Sequence, residues 1–423
     1  MRKLFILIQI FMVIAIFFLV YALIEYYGWQ AIKVAFSNAN PRTVNWLYWG
    51  FTAGLLLLFM LYRPFLFKVM PRSITAYFST VFVVVLFSKL IIALFLLPED
   101  VTRIFKFGIS KLSSAPAAGG ISRSQFLSRM ALTVAAVPAA TLLYGVFVNA
   151  YNYRFHRVKV VLPNLPDAFD GFRIIQLSDI HSGSFTKTEP IVEVIKQINE
   201  KNADLILFTG DLVNNVADEM NDFIDVFKEL RSKHGVMSVT GNHDYGDYIA
   251  WDTAEAKKAN FAKFMGVHKQ LGWDLLMNEH RILERDGQKL AIIGIENAGS
   301  GKHENGEKGR FRDYSDMPKA LNGTEDVPVK ILMSHDPSHW DREVRPVYPQ
   351  IDLMLSGHTH GAQFGVESKW LKWSPSEYLY KQWAGLYQEG KQFLYVNRGF
   401  GFLFYPGRVG ILPEVTEITL AKA

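Results

Sequence analysis

The chain has 423 residues, half of them apolar, with a formal net charge of +5 and no cysteine. That length exceeds one typical domain, and the missing thiols exclude disulfides, thiolate metal ligands and a cysteine nucleophile. The small positive balance, without a basic stripe interleaved with aromatics, argues against nucleic acid as a partner.

The first 150 residues contain four long apolar stretches: Leu4 to Ile24, broken only by Gln9, then Trp46 to Tyr62, Ile74 to Leu97, and Met130 to Val148. A run of about 20 apolar residues can cross the hydrocarbon layer as a helix. Residues 1–150 are therefore expected to form a transmembrane region of about four helices, and residues 151–423 a separate domain. Three apolar segments follow the first, so Leu4 to Ile24 reads as a retained anchor and not a cleaved signal peptide. These features predict a multi-pass protein of the cell membrane, with the lipid bilayer as a partner. Lys89, inside the third stretch, either snorkels to an interface or faces the helix bundle.

With Arg2 and Lys3 in the cytoplasm, four spans would return the second domain there, and Arg63, Lys68 and Arg72 would also lie inside, as the positive-inside rule prefers. The same topology puts Arg103, Lys106, Lys111, Arg123 and Arg129 outside, so the rule is nearly balanced. Ser122 to Leu127 resembles a twin-arginine export signal with Ser124 in place of the second arginine. This tips the expected location of the second domain towards the extracytoplasmic side.

Beyond residue 150 the pattern becomes that of an α/β domain. Val158 to Leu162 reads as an edge strand, Phe172 to Leu177 as an apolar strand, and Glu189 to Glu200 as a helix through Ile191, Val194, Ile195 and Ile198. Leu205 to Thr209 is the next strand, Phe223 to Leu230 a helix, and Val236 to Thr240 a strand. This βαβαβ alternation predicts a layered fold with a largely parallel sheet. Further strands are expected at Leu290 to Ile295, Lys330 to Ser334, Leu353 to Ser356 and Phe393 to Asn397. Two insertions, a helical one over Trp251 to Leu276 and a Gly-rich, charged one over Asn297 to Asp326, either border a site or merely elaborate the surface.

Five polar clusters each follow one of these strands: Asp179-Ile180-His181, Gly210-Asp211, Gly241-Asn242-His243-Asp244, Ser334-His335-Asp336 and Gly357-His358-Thr359-His360. Ligands of α/β sheets gather beyond the carboxyl ends of the strands, where loops converge. Carboxylate, imidazole and amide groups gathered there make the ligand set of a divalent metal such as zinc, iron or manganese.

In order and spacing the clusters resemble the calcineurin-like metallophosphoesterase family, whose pattern runs D-x-H, G-D, G-N-H-D/E, a lone His and G-H-x-H; the resemblance covers roughly Phe172 to Leu420. It implies a four-layer sandwich, two β-sheets flanked by helices, behind the transmembrane region. It also implies two divalent metal ions (Mn, Fe or Zn). Asp179, His181 and His360 would bind the first, Asn242, His335 and His358 the second, and Asp211 would bridge them. Asn242 and His243 would touch substrate, with His243 as the unliganded imidazole that protonates the departing alkoxide. A metal-bridging hydroxide would be the nucleophile, since two cations about 3.5–4 Å apart can clamp both attacking and leaving oxygens. The implied activity is hydrolysis of a phosphate mono- or diester, lipid-linked or soluble; members of this type include hydrolases of lipid A precursors. The competing readings are a membrane sensor or scaffold that has lost catalysis, and the regulatory domain of a transporter.

Asn397-Arg398-Gly399-Phe400-Gly401 resembles the family's closing S-R-G-x-G segment, with Asn for Ser; Arg398 either binds anionic substrate or braces a core carboxylate. Asp244 and Asp336 either orient neighbouring ligands or are exposed turn carboxylates, and Asn214 and Asn215 read as turn or helix-start residues. His156, His234, His268, His280, His303 and His339 read as surface or loop residues; Pro337 argues against a helix that would make His339 a rival ligand. The stretch Trp370 to Tyr405 is dense in aromatics, including Trp373, Tyr378, Tyr380, Trp383, Phe402, Phe404 and Tyr405. They either lean on the bilayer or pack a core.

Overall fold

The computed structural model describes residues 2–61, 72–112, 125–299 and 312–423. The chain divides into two compact units, Met1–Tyr144 and Gly145–Ala423, where the sequence suggested a boundary at 150/151.

In the first unit lie α1 (Arg2–Ala35), α2 (Pro41–Leu61), α3 (Arg72–Leu112) and most of α4 (Gln125–Phe147). Among the described residues, three stretches are long and apolar enough to cross a membrane: Pro41–Leu61, Thr80–Ile109 and Phe126–Phe147. The first expected span, Leu4 to Ile24, is helical within α1, but many of its side chains lie outside the described residues. Arg63, Lys68 and the Ser122-Arg123-Ser124 part of the export-like motif also lie outside them. Tyr27, Ala31, Ile92, Ala93, Leu96, Ala131 and Ala135 form a small core, in which the alanines let helix backbones approach closely.

Lys89 faces the bundle. Its ammonium donates to both Glu25 carboxylate oxygens at 2.9 and 2.8 Å and to the Thr52 hydroxyl at 2.9 Å, while the Tyr48 hydroxyl donates to Glu25 at 2.9 Å. Both charged residues are buried, and each neutralises what would be a costly lone charge.

The second unit contains two six-stranded sheets. Its strands are β1 (Arg154–Leu162), β2 (Arg173–Leu177), β3 (Leu205–Phe208), β4 (Val236–Ser238), β5 (Asp274–Leu275), β6 (Glu279–Arg285), β7 (Gln288–Gly294), β8 (Lys330–Met333) and β9 (Leu353–Ser356). There follow β10 (Val366–Glu367), β11 (Lys372–Trp373), β12 (Gly385–Glu389), β13 (Gln392–Val396) and β14 (Glu414–Lys422). One sheet has the order β1-β14-β2-β3-β4-β5, the other β12-β13-β9-β8-β7-β6, and β10 and β11 form a separate hairpin. Pairing is parallel except at β14–β2 in the first sheet and at β12–β13 and β7–β6 in the second. β1 lies at the edge of its sheet, as its sequence suggested.

Side-chain alternation along the strands explains the layering. Ile174, Leu205, Leu207 and Met237 of one sheet meet Ile292, Ile331, Met333, Leu353 and Leu355 of the other in a shared core. Their neighbours Ile175, Leu177, Ile206 and Phe208 point the opposite way, into a second core with Ile191, Val194, Ile195 and Ile198 of α5 (Glu189–Glu200). Ile293, Leu332 and Met354 face a third core with Trp340 and Val344. Both faces of both sheets are therefore buried, which is why the strands read as continuous apolar runs.

The helix expected over Phe223 to Leu230 is a single turn, α6 (Ile224–Phe227). The first insertion contains α7 (Ala254–Leu271), which starts where the Thr253 hydroxyl accepts the Ala256 N–H and stops at Gly272, held at φ 71°. The second insertion includes α8 (Met317–Leu321), and its residues 300–311 lie outside the described set.

His268, on α7, is a core residue and not the surface residue expected. It packs edge-on against Phe264 and Trp273, its Nδ1 lies 3.3 Å from the Phe264 carbonyl, and its Nε2 has no hydrogen-bond partner. Burial pushes its imidazole from 6.5 down to about 4. The unfolded chain takes up this proton near pH 6.5 and the folded one resists until about pH 4, so stability is whole above that window and falls as the pH drops through it. The cost is up to about 3 kcal/mol. His268→Leu is expected to flatten the fall in thermal midpoint between pH 7 and 5. An unchanged slope in the variant would contradict this account.

Candidate metal centre

All five polar clusters sit where parallel strands end, after β2, β3, β4, β8 and β9. Asp179, His181, Asp211, His358 and His360 all have positive φ, between 47° and 71°. Backbone held in that region costs about 1–3 kcal/mol per residue and persists where surrounding structure enforces it, typically at functional sites. The glycines of the motifs permit the crowding. A Cβ on Gly357 would overlap Ser178 and the Asp179 carboxylate, and one on Gly241 would overlap Asp211.

The strand ends bring together two groups, Asp179 with His181 and His360, and Asp211 with His335 and His358; within each group one potential ligand atom per residue lies within 4.8 Å of the others. Asp211 Oδ2 is 3.5 Å from His181 Nε2 and 3.1 Å from His335 Nε2, so one oxygen touches an imidazole of each group. His335 Nδ1 lies 2.8 Å from the Thr209 carbonyl, which can only accept, so Nδ1 carries the proton and Nε2 is turned inward. His358 Nδ1 is 3.2 Å from that Nε2, and its Nε2 is 2.8 Å from the Tyr380 hydroxyl.

The donor set fits metal ions. His181 Nε2, His360 Nε2 and Asn242 Oδ1 are buried without a hydrogen-bond partner, while Asn242 Nδ2 donates to the Tyr248 hydroxyl at 2.8 Å and so turns the amide oxygen to the other side. Buried polar atoms left unpaired are costly unless something completes them. The electrostatics also call for positive charge. Burial opposes a charged His335, yet the Asp211 and Asp179 carboxylates push its pKa up to about 10. Burial would raise Asp211, but the His335 and His243 imidazoles hold it well below the usual carboxylate range. Burial pushes His358 down to about 4, a basicity suited to a neutral ligand.

His243 stands beside these groups, its backbone N–H donating to Asp211 Oδ1 at 2.8 Å and its Nδ1 2.8 Å from the Asn214 carbonyl. Asn214 is thus more than a turn residue, because its carbonyl sets the tautomer that leaves His243 Nε2 available. The ring lies against His181 and Tyr248, with centroids 5.0 and 4.5 Å away.

Asp244 is fully buried and accepts four backbone N–H groups, from Asp211, Leu212, Val213 and Gly241, at 2.8–3.2 Å. It therefore orients the G-D and G-N-H-D turns against each other and is not an exposed turn carboxylate. Burial and the neighbouring Asp211 charge push its carboxyl up to about 8. Asp336 is buried as well and caps its own turn by accepting the Ser338 N–H at 2.9 Å. Arg398 is buried with its guanidinium engaged by Glu414 at 2.6 Å and Glu367 at 2.5 Å, which is the bracing arrangement.

Sequence reasoning missed Arg408, whose buried guanidinium donates to the Arg398 and Gly399 carbonyls at 2.7 and 3.1 Å, and to Gly401, and approaches His360 Nδ1 at 3.2 Å. It also missed Tyr248 and Tyr380, which contact Asn242 and His358 but stand outside any motif. His339 is buried, not a surface residue. A helical turn follows Pro337 after all, since proline is tolerated at a first turn, but His339 is directed to Ser334 and Glu343 at 3.0 and 3.1 Å. Trp383 and Phe402 are core residues, whereas Tyr378 and Phe404 are exposed.

A two-sheet sandwich with carboxylates and imidazoles converging at its strand ends is the frame of a metal-dependent hydrolase of phosphoesters. Residues 6–150 match the family described as "Probable Calcineurin-like phosphoesterase, transmembrane domain", and residues 172–362 match "Calcineurin-like phosphoesterase". The uncharacterized metallophosphoesterase YkuE of Bacillus subtilis is 31% identical over 71% of this chain and 98% of its own. Phosphodiesterase YaeI of Escherichia coli is 26% identical over 71% and 99%, and UDP-2,3-diacylglucosamine pyrophosphatase LpxG of Chlamydia trachomatis 26% over 62% and 89%. The chain belongs to the calcineurin-like metallophosphoesterase family, whose members use metal ions, and it is a phosphoester hydrolase with a transmembrane region.

Proposed function

We propose that this hydrolase works with a two-metal centre on phosphate mono- or diesters, and on lipid-linked ones in particular, as a four-pass membrane protein whose catalytic domain faces outward. The observation that carries the two-metal reading is the position of Asp211 Oδ2, in reach of one imidazole from each group. Asp179, His181 and His360 would hold one cation, Asn242, His335 and His358 the other, and Asp211 both. Two cations held there would neutralise phosphate charge and generate hydroxide from water near neutral pH.

The protein's own groups do the rest. Asn242 and His243 contact the phosphoryl group, and His243, with Nδ1 donating to the Asn214 carbonyl, acts as the imidazolium, giving the proton on Nε2 to the departing alkoxide and regaining one from water afterwards. Asp244 holds both turns in register, and Tyr248 orients the Asn242 amide. The lipid-linked substrate class is supported by the transmembrane region and by the Chlamydia relative, a UDP-2,3-diacylglucosamine pyrophosphatase.

The test is hydrolysis of bis(p-nitrophenyl) phosphate by the full chain, metal-stripped and then refilled with manganese, zinc or iron. Turnover should vanish and return with metal, and His243→Ala should lower it by about 10²–10⁴-fold, the range of general acid catalysis. Metal-independent turnover, or a fully active His243→Ala, would refute the reading.

A further inference from the structure

The loops that carry and flank His358 and His360 end in exposed apolar side chains. The segment Gln363 to Glu367 leads from the motif into the β10–β11 hairpin, whose tip bears Trp370, 89% exposed, and Leu371. The Lys369 ammonium lies 5.4 Å from the Trp370 ring centroid. Exposed Tyr378 and Leu379 follow, with Tyr378 tied to the hairpin through the Trp373 indole N–H, which donates to its hydroxyl at 3.3 Å. The same segment secures another loop. The Gln363 amide donates to the Tyr405 and Gly407 carbonyls at 2.8 and 2.9 Å, and Gly365 N–H donates to the Val409 carbonyl at 2.9 Å. Between Leu403 and Tyr405 that loop presents Phe404, 94% exposed and held at φ 62°. A bulky residue in the left-handed region is strained, and Phe404 gains no burial within the unit in return.

Within the second unit this loop packs on the unit's own first residues. Residues from Gly145 to the end of α4 at Phe147 belong to the second unit, and the Arg408 N–H donates to the Gly145 carbonyl at 3.1 Å. Gly407 packs so closely on Gly145 that a Cβ there would lie 2.7 Å from its carbonyl carbon. Phe404 therefore projects from a loop fastened to the residues with which the second unit begins. Amphipathic aromatics beside lysine are the side chains that settle at the headgroup level of a bilayer.

We propose that Phe404, Trp370, Leu371, Tyr378 and Leu379 form a rim that inserts into the headgroup region of the bilayer, so that the metal centre meets phosphates presented at the membrane surface. This deepens the lipid-linked reading of the site by naming the surface at which its substrate is met, and it rests on that reading. The phosphate then approaches along the loops that carry His358 and His360, with Tyr380 bonded to His358 beside them.

The absence of native cysteine makes the test direct. Single-cysteine variants Phe404→Cys, Trp370→Cys and Leu379→Cys of the full chain, with Asp225→Cys as an exposed control, are labelled with an environment-sensitive fluorophore in nanodiscs holding one copy each. Labels at 404, 370 and 379 should shift to the blue and be quenched by headgroup-nitroxide lipids about twofold or more above the control, as interfacial residues are. Quenching only by aqueous iodide at all three sites would overturn the proposal. So would a blue shift without lipid quenching that appears only when two copies share a disc, which would assign the rim to a second copy. The labelling arms need no turnover, so a failure of the rim and a failure of the catalytic reading show separately. In a second measurement, Phe404→Asp with Trp370→Asp should raise KM for a phospholipid substrate in vesicles while leaving bis(p-nitrophenyl) phosphate hydrolysis unchanged. Equal loss on both substrates would also count against it.

Discussion

Asp211→Asn is expected to lower turnover by about 10²–10³-fold, the scale seen when one group acting on developing charge is lost, and to release metal on desalting. The carboxylate oxygen that touches His181 at 3.5 Å and His335 at 3.1 Å becomes either a neutral carbonyl or an NH2. In the second case it points a donor at two imidazole nitrogens that should be free for a cation. The second oxygen, which accepts the His243 N–H at 2.8 Å, would also be perturbed, so the acid and the cation sites fail together. Metal content by elemental analysis beside hydrolysis rates checks this. Retention of two equivalents of metal with unaltered turnover would remove Asp211 from the bridging position.

Asp244→Ala should be the most destabilising single change at the site. It strands the backbone N–H groups of Asp211, Leu212, Val213 and Gly241 in a region without solvent. An unpaired buried donor costs about 1–3 kcal/mol, so with partial relaxation the loss should be about 4 kcal/mol or more. Asp244→Asn keeps one acceptor oxygen and should fall between the two. Chemical unfolding of the catalytic unit with its metals removed isolates this from ligand loss. A change below about 1 kcal/mol for Asp244→Ala would mean that water replaces the carboxylate.

The parts of this fold legible in the sequence were those where one physical signal dominates. Leu205 to Phe208 and Leu353 to Ser356 read as strands because both faces are buried, and Glu189 to Glu200 read as a helix because Ile191, Val194, Ile195 and Ile198 recur at helical spacing. β6 was not legible, since Glu279 to Arg285 buries only Leu283 fully, and its place in the sheet comes from pairing with β7. β14 escaped for the opposite reason, its Glu414 and Thr416 being buried against Tyr395, Arg398 and Asn397, which lie outside the strand. At the site, the clustered residues were legible because function compresses them into motifs. Arg408, Tyr248 and Tyr380 were not, because each acts through one long-range contact that leaves no local pattern. The fate of Asp244 was open for the same reason, as the four N–H groups it accepts come from two different turns.

The Glu25–Lys89 pair also sets an order of events during synthesis. Glu25 leaves the ribosome 64 residues before the lysine that neutralises it, a delay of roughly 3 to 13 seconds at about 5–20 residues per second. Through that interval α1 carries a carboxylate whose partners among the described residues, Tyr21 on α1 and Tyr48 and Thr52 on α2, are neutral. The charge is settled only when α3 arrives. The contact that neutralises Glu25 therefore needs the first three helices together, and a chain halted after α2 would hold that acid without its cation.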